Sequence, residues 1–171
     1  MIKDPTNAYK LGELEKHTLD FAAVLLDREQ MVEDEHLGKI IPRDAWTRQD
    51  LERLAKGKKT KTLTIVRQNK DSKGVMEAEL MGFLIYGVSR EILVIEMMAV
   101  KDGDEEIVAK LIRPVLNIAR DALPPLKVET SFHYENKLIP ILLDMGFQEE
   151  YTSTETTKIL IKRFEKEETL C

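Results

Sequence analysis

The N-terminal third of the chain mixes strand-like and helix-like patterns of apolar residues. Residues 9–14 alternate weakly, which predicts a first strand. Thr18 is a suitable N-cap for a helix whose apolar positions extend to Leu26. Residues 31–43 are charged and irregular and include Gly38 and Pro42, so they favour a loop. A second helix is predicted to begin at the capping-box sequence of residues 47–50 and to end near residue 57.

The middle of the chain changes to the two-residue period of strands. Residues 60–67 alternate, with Leu63 and Ile65 on one side, and residues 75–88 form a second strand long enough to need a bend at Gly82. A turn at residues 87–90 leads to residues 92–100, whose nearly continuous apolar run is typical of a strand covered on both faces. Because these three strands are close in sequence, we expect an antiparallel meander.

The last part of the chain returns to helical spacing and ends in a hairpin. Acidic residues at 102–106 start a helix with apolar positions from 107 to 118, and Pro124 and Pro125 stop it. Residues 126–132 predict a strand, and residues 136–145 predict a helix that ends at Gly146. Residues 147–154 and 157–164 predict a closing hairpin, and residues 165–171 form a polar tail.

Length and composition indicate one globular domain over residues 1–171. The net charge of −5 gives no electrostatic reason to bind nucleic acid or an anionic membrane. Cys171 is the only cysteine, so we expect a reducing compartment. A signal peptide and an apolar run of about 20 residues are both absent, which favours a cytoplasmic protein. The spacing of histidine, cysteine and carboxylate residues predicts no metal site.

An ordered series of short motifs runs through residues 82–147. It consists of Gly82-Phe83-Leu84-Ile85 on one strand, Ala99-Val100 at the end of the next, a following helix, and a segment from Asn136 to Gly146-Phe147. This series resembles the GNAT superfamily of N-acetyltransferases. The resemblance implies an α/β (α+β) fold with a mixed, mostly antiparallel central sheet of six to seven strands, flanked by about four helices.

The resemblance also implies an acyl-CoA-dependent N-acyltransferase, which moves an acetyl group from acetyl-CoA to an amine by direct attack. In that family, backbone amides at the end of the buried strand hold the pantetheine arm and polarise the thioester. The loop and helix start that follow bind the diphosphate. The positions that this places at the cofactor are Met98, Ala99, Val100, Ile107, Val108, Ala109 and Asn136. For Asn136, a role as helix N-cap is the alternative.

The diphosphate loop of the family is degenerate in this sequence. Its pattern is roughly Gln/Arg-x-x-Gly-x-Gly/Ala, and residues 104–109 keep only Ala109, with Ile107 in place of the first glycine. Four carboxylates, those of residues 102, 104, 105 and 106, lie where a diphosphate would bind. Acidic residues that cap a helix explain this run better, and they should weaken CoA affinity. An alternative function is therefore an inactive GNAT-fold binding or regulatory module.

Three residues are candidates for acid–base chemistry. The resemblance implies that Glu96, in its apolar strand, is a general base for the amine, although it could instead pair with an arginine or reach a cleft. His133 is a candidate proton relay or a solvated loop histidine. The family's tyrosine acid is replaced by Leu142, which leaves Tyr134 as a substitute acid or an edge aromatic.

The acceptor is expected to be an amine on a small molecule or a peptide. The acidic residues 33–35 would border its site in this fold, which indicates a cationic acceptor or merely a solvated loop. Dimerisation is common in the fold, so a homodimer is compatible with the resemblance.

Overall fold

A computed structural model describes residues 9–12, 19–34, 39–42, 47–70, 72–150 and 157–164. Within these ranges there are four helices: α1 (Leu19–Gln30), α2 (Arg48–Ala55), α3 (Glu105–Asp121) and α4 (Leu138–Asp144). The strands are β1 (Tyr9–Gly12), β2 (Met31–Asp34), β3 (Lys39–Pro42), β4 (Thr60–Lys70), β5 (Met76–Ser89), β6 (Ile92–Val100), β7 (Lys127–His133), β8 (Gln148–Glu149) and β9 (Thr157–Lys162).

Seven of these strands form one sheet in the order β1-β4-β5-β6-β7-β9-β8. Its neighbours are antiparallel except β6 and β7, which run parallel. The predicted meander is present as β4, β5 and β6. Over the described residues, the predicted fold class is thus confirmed: a mixed, mostly antiparallel sheet with four helices.

The sheet carries a helical layer on each face. On one face, α1 and α2 cover Phe83, Ile85, Met97 and Ala99. On the other, α3 and α4 cover Leu84, Met98 and Val100. Alternate residues of β5 and β6 therefore enter opposite halves of the core, which explains why both strands are apolar at nearly every position.

Local sequence determines where α2 begins. Asp50 N–H donates to the Thr47 hydroxyl at 3.1 Å, and Thr47 N–H donates back to the Asp50 carboxylate at 2.9 Å. This reciprocal pair is the predicted capping box. The bond from the Thr47 backbone lowers the pKa of Asp50 from its ordinary value.

Gly82 allows α3 to pack closely against the sheet. A Cβ at this position would lie 3.0 Å from Ile107 Cγ2 and 3.2 Å from the Ala99 carbonyl oxygen. The bend predicted at Gly82 corresponds to a register shift beside it, since Ile65 pairs with Gly82 and Val66 pairs with Leu80. Met81 is the extra residue of this irregularity.

The loop predicted for residues 31–43 is wrong where the structure describes it. Strands β2 and β3 form an antiparallel hairpin there, in which Val32 pairs with Ile41 and Glu33 with Ile40. Opposed β-branched residues favour such pairing, and the charges between them obscured the strand pattern. Pro42 lies at the end of β3, where it can be accommodated.

Smaller boundary predictions also change. The turn expected at residues 87–90 lies at Arg90 and Glu91, because Gly87 still pairs with Thr60 inside the sheet. Strand β4 continues to Lys70, into the predicted turn. The Thr18 cap, residues 13–14, residues 151–154 and the tail at 165–171 lie outside the described residues.

Candidate functional site

The parallel strands β6 and β7 separate along their length like the arms of a fork. They pair from Ile92 opposite Lys127 to Ile95 opposite Thr130. At the branch point, the Thr130 hydroxyl donates a hydrogen bond to the Ile95 carbonyl at 3.2 Å. Beyond it, β6 stays paired with β5 and β7 stays paired with β9, so each arm keeps a hydrogen-bonded neighbour on its outer side. The fork is therefore part of the sheet framework.

A cleft occupies this fork, with about 450 Å³ of open space that includes the solvent at its mouth. Its walls are the diverging strands, the start of α4, and two residues of α1. The lining residues are Glu96, Met97, Met98, Ala99 and Val100 of β6, Thr130, Ser131 and Phe132 of β7, Asn136, Lys137 and Leu138, and Leu26 and Glu29. Most of this lining is apolar side chain or strand backbone, which suits an extended ligand of low charge.

Glu96 is the extra residue of a β-bulge. Ile95 pairs with Tyr86 while Met97 pairs with Ile85, so Glu96 has no partner on β5. Its half-buried side chain lines the cleft, and among the described residues nothing forms a hydrogen bond or ion pair with it. A bulge re-aims side chains, and here it brings an unpaired carboxylate into the fork.

The loop after β6 is closed by its own side chains. Lys101–Gly103 form one 3₁₀ turn, and Asp102 and Gly103 both have positive φ, at 55° and 60°. Asp104 caps α3, because its Oδ1 accepts hydrogen bonds from Glu106 N–H at 2.9 Å and Ile107 N–H at 3.4 Å. Asp104 therefore acts as the helix cap that the sequence favoured.

Glu29 of α1 reaches the same loop from the other side of the cleft. Its Oε1 accepts a hydrogen bond from Asp102 N–H at 2.9 Å, and its Oε2 lies 2.5 Å from Lys137 Nζ. The Glu29 side chain is only 8% exposed. The ion pair therefore joins α1 to the residues before α4 at the mouth of the cleft.

No family model matches the sequence, and no curated protein matches it. Solved structures do. The PaiA N-acetyltransferase of Thermoplasma acidophilum, in complex with coenzyme A, is 13% identical with a TM-score of 0.63, covering 92% of this chain and 99% of its own. Arabidopsis thaliana NAA60, in complex with a bisubstrate analogue, is 12% identical with a TM-score of 0.65, covering 92% and 100%. Campylobacter jejuni PseH, in complex with acetyl coenzyme A, is 11% identical with a TM-score of 0.55, again covering 92% and 100%. The chain has the GNAT fold.

The predicted cofactor residues fall into two groups. Met98, Ala99 and Val100 line the cleft, as does Asn136. Asn136 Oδ1 also accepts a hydrogen bond from Leu138 N–H at 2.9 Å, so it caps the start of α4. Ile107 and Val108 are fully buried in the core beneath the loop, and Ala109 is half-buried. For all seven, cofactor binding stays a prediction.

The three predicted acid–base residues are not all at the cleft. Glu96 lines it, whereas His133 and Tyr134 do not. His133 was expected just after a strand but is the last residue of β7, where it pairs with Thr157, and its Nδ1 accepts from Glu135 N–H at 3.3 Å. Tyr134 is 45% exposed, with its ring 4.6 Å from that of His133. Leu142, at the position of the family tyrosine, is fully buried.

The two ends of an acyl-CoA molecule fit this site differently. The fork offers unpaired strand backbone along one wall, which suits a pantetheine arm. At the loop, the carboxylates of Glu29 and Asp104 already accept from amides that a diphosphate would need. The residues present therefore fit the arm but not the diphosphate.

The polar cleft residues that sequence reasoning missed include Glu29, Ser131 and Lys137. Glu29 contacts a loop 73 positions away, and no local pattern marks such a contact. Ser131 lies inside a predicted strand, where a serine is only a weak sign that the strand faces a cleft. Within the described ranges, no group of side chains could hold a metal ion, and no helix is long and apolar enough to cross a membrane.

Proposed function

We propose that the protein is an N-acyltransferase that moves an acyl group from a pantetheine thioester, such as acetyl-CoA, to the amine of a small molecule or peptide. The fork between β6 and β7 carries this proposal. It leaves Met97 to Val100 paired with β5 on one side and without a ladder partner on the β7 side. Such an unpaired strand edge is a ready binding surface for an extended chain with amide groups.

The dimensions of the fork suit that arm. Four residues of β6 line the cleft beyond Glu96, and at about 3.3 Å per residue they span roughly 13 Å. The amides of a pantetheine arm can pair with strand backbone over this length, while Leu26 and Leu138 cover its methylene groups. Specificity of this kind depends on backbone, which explains how the site can persist while side chains diverge.

The reaction that this geometry supports is direct acyl transfer. The amine nitrogen bonds to the thioester carbonyl carbon, the carbon–sulfur bond breaks, and the thiolate leaves. Glu96 takes the proton that the amine loses, and backbone N–H groups near Ala99 and Val100 polarise the carbonyl. Since neither His133 nor Tyr134 lines the cleft, solvent supplies the proton that the thiolate takes up.

Ligand-induced stabilisation tests the donor. The midpoint of thermal unfolding should rise on adding millimolar acetyl-CoA or S-acetylpantetheine, because a ligand at a hundred times its Kd stabilises by about 2.7 kcal/mol. If neither compound raises the midpoint, the transferase proposal is wrong.

Substitution of Glu96 tests the chemistry. Glu96→Gln should leave thioester binding within about twofold and lower acyl transfer to amines by roughly 10²-fold or more. The matched control is Glu129→Gln, which removes a half-buried carboxylate of the neighbouring strand that does not line the cleft. An unchanged rate in Glu96→Gln would remove Glu96 from the mechanism.

A second candidate function is a binding module without transferase activity. Leu142 favours it, since this fully buried side chain has no proton to give at the position of the family acid. Binding of a thioester without acyl transfer to any of a broad panel of amines would support this candidate over the first.

A further inference from the structure

We propose that the natural acyl donor is a pantetheine thioester that carries no diphosphate, and that Glu29 and Asp104 select against donors that carry one. This inference rests on the proposed function, since it names the donor class of the same cleft. It is carried by the contrast between an open fork and a closed loop at its end.

Carboxylates of the protein itself already occupy amides of the loop after β6. Backbone N–H groups at the start of a helix form a natural anion site. Here Asp104 Oδ1 takes those of Glu106 and Ile107, and Glu29 Oε1 takes that of Asp102. A diphosphate would have to displace two carboxylates belonging to different elements of the protein.

Glu29 is fixed in position and cannot simply turn away from the loop. Its side chain is 8% exposed, and it is held at both oxygens, by Asp102 N–H and by Lys137 Nζ. Lys137 in turn covers the loop, because its Cδ lies 3.0 Å from where a Cβ on Gly103 would be. Glu29, Lys137 and the loop therefore form one connected closure across the end of the cleft.

The charge around this loop also opposes the binding of a diphosphate. Two basic residues of this region are already neutralised, Lys101 by Glu79 and Lys137 by Glu29. Of the exposed carboxylates beside them, Glu106 lies 3.6 Å from Lys110 Nζ, whereas Glu105 adds negative charge at the start of α3. A diphosphate, and the further phosphate of coenzyme A, would approach this acidic end against electrostatic repulsion.

The pantetheine part of a donor meets none of these obstacles. It is uncharged, and it would lie along the backbone of Met97 to Val100 and the apolar side chains of the cleft, whose charged residues are Glu29, Glu96 and Lys137. The reaction involves only the thioester and the amine: a carbon–nitrogen bond forms, the carbon–sulfur bond breaks, and the thiol keeps one proton in place of the acyl group. No part of that chemistry requires the nucleotide.

Two sources share this donor chemistry: a free acyl-pantetheine, and an acyl-phosphopantetheine arm borne by a carrier. They differ by a single phosphate group. Lys137 is 52% exposed and stands at the mouth of the cleft; its charge is balanced by Glu29, but an ammonium group has three N–H donors, so it can still donate a hydrogen bond to one phosphate. Binding of 4′-phosphopantetheine therefore distinguishes the sources.

Calorimetry on the whole chain, with pantetheine, 4′-phosphopantetheine and coenzyme A as probes, tests the proposal. We expect coenzyme A to bind more weakly than pantetheine, with a Kd at least threefold higher. If 4′-phosphopantetheine binds at least tenfold more tightly than pantetheine, the donor is the carrier-borne arm; if it does not, the donor is the free thioester. Coenzyme A binding within threefold of pantetheine, or more tightly, would overturn this inference and leave the proposed function intact. If no probe binds, both are overturned.

Two substitutions test the role of the carboxylates. Glu29→Ala frees the Asp102 amide and the Lys137 ammonium, and should tighten coenzyme A binding at least tenfold without changing the Kd of pantetheine. Asp104→Ser keeps a side-chain cap but removes the charge, and should act in the same direction, so it serves if Glu29→Ala does not fold. The control Glu106→Gln removes an exposed charge of the same helix start without freeing an amide, and should change coenzyme A binding less than threefold. Equal effects of all three variants would contradict a specific role for Glu29 and Asp104.

Discussion

Glu79 shows how a single side chain ties the loop of the candidate site to the sheet. Its carboxylate binds Lys101 Nζ through one oxygen and lies 2.6 Å from Arg67 Nη2 through the other. The hydrogen bond from Lys101, followed by that from Arg67, lowers the pKa of Glu79 from its ordinary value. Because Lys101 begins the turn that leads into α3, this small network holds the start of the loop in place.

Glu79→Gln should therefore destabilise the protein in a pH-dependent way. A carboxyl with a lowered pKa in the folded state stabilises above its unfolded pKa of about 4.3, and that contribution is lost as the pH falls through the folded value. Since Glu79 is 35% exposed, solvent screening limits the cost near pH 7 to about 1 kcal/mol.

Urea unfolding at several pH values measures this effect. The matched control is Glu77→Gln, which removes an exposed carboxylate from the same strand. The difference between Glu79→Gln and the native protein should shrink as the pH falls below about 4. A difference that stays constant down to pH 2 would contradict the ion-pair interpretation.

Leu142 offers a second test at the residue scale. It is fully buried against the sheet, so Leu142→Tyr should lower the free energy of unfolding by about 1–3 kcal/mol through overpacking. Leu143→Tyr is the control, because the neighbouring Leu143 is 40% exposed and should tolerate the change within about 0.5 kcal/mol. If Leu142→Tyr is as stable as the native protein and speeds acyl transfer, the tyrosine acid has been regained and Leu142 is not simply a core residue.

At the residue scale, the sequence predicted what depends on near neighbours. The Asp104 cap and the unusual Glu96 could be found because a helix start and an apolar strand are recognisable patterns. The pairing of Glu29 with Lys137 could not, since it joins residues that only the tertiary fold brings together.

At the scale of elements, the end of α4 illustrates how local chemistry positions one wall of the cleft. Phe147 N–H donates to the Leu142 carbonyl at 3.1 Å and Gly146 N–H donates to that of Leu143 at 3.0 Å, which together form a Schellman motif. Gly146 has a φ of +97°. Glycine is favoured at this position because other residues adopt positive φ at a cost.

Gly146→Ala should lower the free energy of unfolding by about 1–2 kcal/mol. Gly74→Ala is the matched control, since Gly74 also has positive φ, at +79°, but lies in the turn between β4 and β5 with open space around it. Both variants should lose stability in chemical denaturation, and Gly146→Ala should lose more, because its Cβ would displace the Lys162 ammonium group from its hydrogen bond to the Met145 carbonyl. Only Gly146→Ala should also weaken thioester binding, because α4 borders the cleft; equal binding in both would contradict that link.

Prediction of elements succeeded where caps, breakers and periodicity agreed. The meander, α2, α3 and α4 all follow from such signals, with ends displaced by up to three residues. The hairpin of β2 and β3 was missed because Glu33, Asp34 and Lys39 interrupt its apolar residues. Edge pairing of this kind depends on the partner strand more than on the segment itself.

At the scale of the whole molecule, the sheet has two parts joined by one short parallel ladder. Strands β1, β4, β5 and β6 form the first part, and β7, β9 and β8 the second. Only the four residue pairs from Ile92–Lys127 to Ile95–Thr130 connect them in the sheet. The meander could be predicted from sequence proximity, whereas this junction joins strands about a helix apart and needed the three-dimensional fold.

Hydrogen exchange should reveal this division. We expect amides of β5 and of the β5-facing side of β6 to exchange slowest, since they lie between two core layers. Amides in the two-residue edge strand β8 should exchange fastest among the described strands. Bound thioester should slow exchange at Met97 to Val100 more than in β4, and uniform slowing across the sheet would contradict binding in the fork.

The bulge at Glu96 has a consequence for how the chain tolerates changes in length. Leu93 and Ile95 enter the same half of the core as Met98 and Val100, so the bulge reverses the odd–even alternation of β6. Deleting Glu96 would remove the bulge and leave each following side chain on its present face, whereas inserting a further residue there would send those side chains to the opposite face. A one-residue change of length in the turn between β4 and β5 leaves this alternation unchanged. Insertions should therefore be excluded from residues 95–97 and accepted at residues 72–74, and deletion of Glu96 should preserve the core while removing the carboxylate from the cleft.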